Sequence, residues 1–280
     1  MRRRPATVHR RPALQDGFEP ARHQGYTLVE ILVALFVGVF LLVGLFTILQ
    51  NTRRSSSNQS ALAQLQDEQR MAMSMLNDVI QNAGYFDPNT ITAAAAMPAV
   101  AATGLATNQA LAASQSLSGA ANGSPGDIIL VRYATNGTGS KAPDGIEDCK
   151  GRTSTTATTF VNTLFVAARA ADGVATALWC SLDGSTSTTS AIPLVTGVAN
   201  LQVYYGVATT AGVNDVDTYM TAAQVQAAGD WAKVSSVRVT VTFQNPLYLQ
   251  AGYATSADQY VYLTRVIPIQ GRTGVIATAL

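Results

Sequence analysis

Histidine is nearly missing from this chain. Its 280 residues contain two, His9 and His23, and both precede a long apolar run. Everything after that run therefore lacks an imidazole for a Ser-His-Asp triad, a zinc site or proton transfer near neutral pH. HExxH, GxSxG, P-loop and GxGxxG patterns are absent too. Neither catalysis nor a bound cofactor or metal is expected. Charge is equally thin, at 12% of residues and net +1, against roughly 25% in an ordinary soluble domain. Past Arg70 the Lys and Arg residues are scattered singly without interleaved aromatics, so no nucleic-acid partner is expected. Proline is missing from Tyr26 to Ala83, which leaves that stretch free to be helical.

The isolated polar motifs read blandly. "NDVDTY", with Asp215 and Asp217, lacks the spaced ligands of a calcium loop and reads as solvated turn acids. "NGTGS", from Asn136, reads as a turn. Trp179, Trp231, Tyr204 and Tyr205 read as core or interface residues.

The apolar run itself is informative. From Ile31 to Leu49 the one polar side chain is Thr47, and at about 1.5 Å per helical residue the run nearly matches a ~30 Å hydrocarbon core. It continues into "QNTRRSSSNQS" with no A-x-A box, unlike a cleaved secretory signal. Arg2, Arg3, Arg4, Arg10, Arg11 and Arg22 precede it and only Arg53 and Arg54 closely follow. That bias places the N-terminus in the cytoplasm and the bulk of the chain outside. Glu30 is the one acid at the edge of the run, where a carboxylate requires a partner or a functional reason.

"GYTLVEILVAL", Gly25 to Leu35, resembles the processing and assembly motif of type IV prepilins and of the related pseudopilins of type II secretion. The resemblance implies a basic leader, residues 1–25, removed by prepilin peptidase between Gly25 and Tyr26, and N-methylation of Tyr26. Glu30 then matches the family's helix acid, implied to pair with the amino group of a neighbouring subunit and so set the register of assembly.

Beyond the membrane run, Leu62, Leu65, Ala72, Leu76, Val79 and Ala83 recur at helical spacing, flanked by Ala61, Met75 and Ile80. Gly84 supplies the stop. Residues 26–50 thus read as a transmembrane or filament-core helix and 51–84 as an amphipathic helix continuing it. Residues 85–126 are low in complexity and read as a long loop. Residues 127–280 read as a β-rich head. Its strands run over Asp127–Ala134, Thr159–Ala168, Ala175–Leu182, Val198–Val207, Lys233–Phe243 and Gln259–Ile269. With no helices between them long enough for crossovers, the sheet is expected to be antiparallel. Cys149 and Cys180 fall in the part assigned to an oxidising compartment, where a disulfide is the default and two free thiols the alternative.

"PLVTGVANLQVYYGV", Pro193 to Val207, together with "DVDTYMTAAQVQAAGDWAKVSSVRVTV" and "LNDVIQNAGYF", narrows the resemblance to the PilW type of type IV pilus minor pilin. The nearest relative of that type in type II secretion is the J-type minor pseudopilin. The implied fold is α+β and pilin-like, a long N-terminal helical spine packed on a largely antiparallel sheet. The implied role is in the tip or priming complex that initiates pilus assembly. Implied partners are prepilin peptidase, other minor pilins, the major pilin and the inner membrane, with a tip adhesin left open. The implied location is the bacterial inner membrane before assembly and the pilus surface after it. Two alternatives stay open, a type II secretion pseudopilin and a membrane-anchored periplasmic ligand-binding protein.

Overall fold

A proline-free run of apolar and then amphipathic sequence yields one long helix, α1 (Leu28–Gln81). It is followed by α2 (Ala93–Ala96), β1 (Leu117–Ala120), β2 (Ile128–Thr135), β3 (Thr158–Arg169), β4 (Val174–Ser181), β5 (Ile192–Thr196), β6 (Val198–Val207), β7 (Thr218–Met220), α3 (Ala222–Ala228), β8 (Val234–Gln244) and β9 (Tyr260–Pro268). The computed structural model describes residues 25–121, 123, 125–141, 143–169, 174–210, 215–248 and 259–271. The leader read from sequence, with His9 and His23, falls outside the described residues apart from Gly25.

Two compact units are present, Met1–Ser55 and Ser56–Leu280. In the first, α1 is apolar on every side from Ile31 to Leu49, Thr47 apart. Its large side chains are all exposed in the isolated chain, Leu28 at 79% and Phe40 at 73%. Among the described residues one helix is long and apolar enough to cross a membrane, and this is it.

In the second unit the stripe on α1 meets a core. Leu65, Ala72, Met73, Leu76, Val79, Ile80 and Ala83 are buried against residues of the strands, while Leu62, at the start of the stripe, stays exposed. Gly84, at φ 79°, turns the chain off the helix, and its N–H donates to the Arg132 carbonyl at 2.9 Å.

The strands form two sheets rather than one. The first has the order β1-β2-β3-β4-β5 and the second β7-β6-β8-β9, and every strand pair is antiparallel. They share one apolar core, to which Val131, Leu164 and Leu178 contribute from the first sheet and Val203, Val239 and Val241 from the second. Burial on both faces explains why β2 is buried at all eight positions, as its near-continuous "IILVRYAT" requires. β8 fully encloses Val237, Val239, Val241 and Phe243 on one face, while Arg238 and Thr240 on the other stay partly exposed. A parallel bridge, Gly126 to Leu201, joins the sheets. Asp127 reinforces it, its N–H donating to Leu201 O at 2.7 Å and its Oδ2 accepting from Val203 N at 2.8 Å. Burial raises the Asp127 pKa, and the Val203 amide only partly offsets that.

The stretch 85–126 carries more structure than its composition indicates. It holds α2 and β1 and buries Ala96, Met97, Leu105, Leu111 and Leu117. Leu105 and Leu111 pack on Leu130 of β2, and Leu117 joins the shared core, so the apolar strands supply the opposing surface.

Candidate functional site

The N-terminal site begins with two exposed residues. Gly25 and Tyr26 precede α1 in non-helical backbone, Tyr26 being 78% exposed. A Cβ placed on Gly25 meets nothing within 4 Å, so no described residue requires glycine there. Thr27 then caps the helix: its carbonyl accepts from Glu30 N at 3.0 Å and Ile31 N at 3.2 Å, and its Oγ1 accepts from Glu30 N at 3.3 Å. Thr27-Leu28-Val29-Glu30 thus has the spacing of a capping box. It fixes Glu30 in the first helical turn, where a carboxylate is favoured by the unpaired amides of the helix end. The structure places Gly25, Tyr26 and Glu30 within six consecutive residues at the mouth of a wholly apolar helix surface. An amino group created at Tyr26 would lie just ahead of that helix, and the apolar surface beside it can be satisfied only by lipid or by other apolar chains.

In the head, Cys149 and Cys180 are disulfide-bonded, with Cα atoms 6.1 Å apart. Closing a loop of this length stabilises by about 3 to 4 kcal/mol in the chain-entropy model. The loop is set by neighbours as well. Cys149 N donates to Asn162 Oδ1 at 2.8 Å, and Asp148 accepts from Lys150 N, Arg152 N and Arg152 Nε at 2.8 to 3.1 Å.

Arg132 escaped the sequence reading, in which it is one of the scattered single cations. It is 1% exposed, and its guanidinium partners are backbone carbonyls. Nη1 donates to Pro98 O at 2.6 Å, Nη2 to Ala112 O at 2.8 Å, and Nε to Gln115 O at 2.8 Å, with Nη2 also reaching Gln115 O. Burial pulls its pKa down to about 10, which leaves it charged at neutral pH. The signal available in sequence was an Arg inside the apolar strand "IILVRYA".

The aromatic residues lie where bland readings put them. Trp179 and Tyr205 are fully buried, Trp231 packs edge-on to Tyr205 at 4.9 Å, and Arg238 lies over the Tyr204 and Tyr219 rings at 4.8 and 4.6 Å. Asp217 closes the turn after β6 by accepting from the amides and hydroxyls of Thr209 and Thr210. Those bonds, that of the Thr209 amide foremost, hold its pKa below the usual carboxylate value. Among the described residues no group of three or more His, Cys, Asp or Glu side chains could hold a metal. A cleft of about 420 Å³ is lined by Asp87, Ile91, Ala134, Asn136 and Lys141. The Asp87 carboxylate there already accepts from Asn89 and Asn136.

Two family models match the chain. Residues 20–46 match the prokaryotic N-terminal methylation motif, and residues 163–269, from within β3 to just past β9, match the type IV pilus-assembly protein W family. The two matches support a type IV pilus pilin of the PilW type. No curated protein and no solved structure matches the chain. The two matches fall on the two units described above, the motif on the exposed apolar helix and the PilW model on the sheets. Both families are of structural, pilin-type proteins, and they imply association with other pilus components. The chain's α+β architecture, a long N-terminal helix with antiparallel sheets, is pilin-like. The methylation motif on an apolar helix fits a membrane-anchored pilin.

Proposed function

We propose that this chain is a type IV pilus minor pilin, matured by prepilin peptidase and built into the tip or priming complex. The observation that carries the reading is the junction at residues 25–30. An exposed Gly25-Tyr26 bond leads directly into a helix whose single early acid, Glu30, precedes an apolar surface exposed on all sides. In this reading the leader stays in the cytoplasm, α1 crosses the inner membrane once, and the peptidase cuts between Gly25 and Tyr26. Methylation leaves the Tyr26 amine basic, and in the assembled bundle it pairs with the Glu30 carboxylate of a neighbouring minor or major pilin. Two buried charges cost several kcal/mol each unless matched, so the pair rejects other axial registers. Size supports the tip: a head with two sheets is harder to pack repeatedly along a shaft than once at an end. The matched family is described as a pilus-assembly protein, which favours a pilus over a type II secretion filament.

The test is the fibre itself. Fibres sheared from cells should contain this chain at a level far below the main subunit, and deleting the gene should sharply lower fibre number. Fibres of normal number without the chain, with the chain confined to membranes, would overturn the reading.

A further inference from the structure

Among the described residues, three of the four sheet edges are short or interrupted. β1 has four residues, β7 three, and β5 has five, including Pro193, with a register shift opposite it on β4. Short strands, bulges and proline are the usual means of keeping an edge from accepting another chain. β9 uses them least: it has nine residues in unbroken register with β8, from Ser236 opposite Pro268 to Gln244 opposite Tyr260.

The hydrogen-bond phase of that edge follows from its ends. Asn245 N donates to Gln259 O and Ile269 N to Ser235 O, both at 2.9 Å and both in the register of the pair. Antiparallel bonding alternates, so Val261, Leu263, Arg265 and Ile267 turn their backbone groups toward β8. Tyr260, Tyr262, Thr264 and Val266 turn theirs outward, and Pro268, next in that series, has no N–H to offer. On the core side Val261 and Leu263 are only partly covered, whereas Val241 and Phe243 opposite them are fully enclosed. Arg265 is exposed and makes no ion pair with any described residue. β9 contains no acid, so a second copy of the same strand cannot supply the missing counter-ion.

We infer that the outer edge of β9 accepts a strand from a neighbouring pilin-type subunit, apolar toward the core and bearing a carboxylate that meets Arg265. The inference rests on the pilin reading above. The added strand bonds to the backbone of Tyr260, Tyr262, Thr264 and Val266 and completes the cover over Val261 and Leu263.

The test uses the full chain in cells, with photo-reactive benzoylphenylalanine in place of Tyr262, which is 66% exposed. Irradiation should cross-link it to a pilin-type subunit through a peptide containing Asp or Glu. Val266→Pro removes an outward N–H and no bond to β8, and Arg265→Glu reverses the edge charge. Each should lower the cross-link about tenfold while membrane level and melting temperature stay unchanged. Unchanged yield in both variants, a cross-link to a second copy of this chain, or one to a protein without a prepilin-type N-terminus would each overturn the inference. The N-terminus of the same preparation is read alongside. No cross-link on chains that begin at Tyr26 overturns the edge inference and leaves the pilin reading standing. Chains still carrying the leader overturn the pilin reading, and the edge inference with it.

Discussion

Glu30→Leu should leave the chain in the membrane and exclude it from the fibre. Removing a carboxylate from the edge of an apolar helix makes insertion easier, by less than the roughly 2.5 to 3.5 kcal/mol charged at a bilayer centre. In the fibre the same change strands a neighbour's amino group in an apolar bundle, a loss of about 3 to 5 kcal/mol when one member of a buried pair is removed. Incorporation should therefore fall by about two to three and a half orders of magnitude at 1.4 kcal/mol per tenfold. The ratio of chain in sheared fibres to chain in membranes measures this directly. A second role has to be separated, because Glu30 also sits three residues after its cap, Thr27. Losing that contribution costs only about 0.3 to 1 kcal/mol. Glu30→Gln settles the matter, since Gln also suits this position of a capping box but carries no charge. Charge pairing predicts that Gln fails as Leu does; a Gln variant incorporated normally would assign Glu30 to the cap alone.

Arg132→Met should be the most damaging single change in the head. Its guanidinium satisfies the carbonyls of Pro98, Ala112 and Gln115, and each buried acceptor left without a donor costs about 1 to 3 kcal/mol. With relief from no longer burying a charge, a net loss of about 3 to 5 kcal/mol is expected. The damage should be local first: proteolysis within residues 98–115 should rise before the sheets unfold. Arg132→Lys should fall between the two, because one ammonium cannot reproduce a planar fork aimed at three carbonyls. A melting temperature for Arg132→Met within a degree or two of the parent would contradict this account.

These two residues show what draws the eye in a sequence and what does not. Glu30 is legible because a charge at the edge of an apolar run contradicts its surroundings and asks for a cause. Arg132 is just as much a charge among apolar residues, but its partners lie 17 to 34 positions away in an alanine-rich stretch, and no local pattern records them. The six long strands are legible from β-branched and aromatic runs, and β8 most clearly from its period of two. β1 is "LSGA", without a β-branched or aromatic residue, and β7 has three residues. β5 carries Pro193, tolerated because it lies on an edge. The division into two sheets is hidden for a different reason. Alternation tells which face of a strand is buried, not which strand pairs with it. The candidate site at Gly25, Tyr26 and Glu30 is contiguous in sequence, so a motif can propose it whole. The β9 edge is defined by what does not pair with it and becomes visible only in three dimensions.

The central claim is that proteolysis at Gly25 creates the amino group that Glu30 of another subunit meets. Mass spectrometry of the N-terminal peptide from chain recovered in sheared fibres tests it most directly. The account predicts a peptide that starts at Tyr26 and carries one added methyl group. A peptide that starts upstream of Gly25 would leave no cation at that depth and would contradict it.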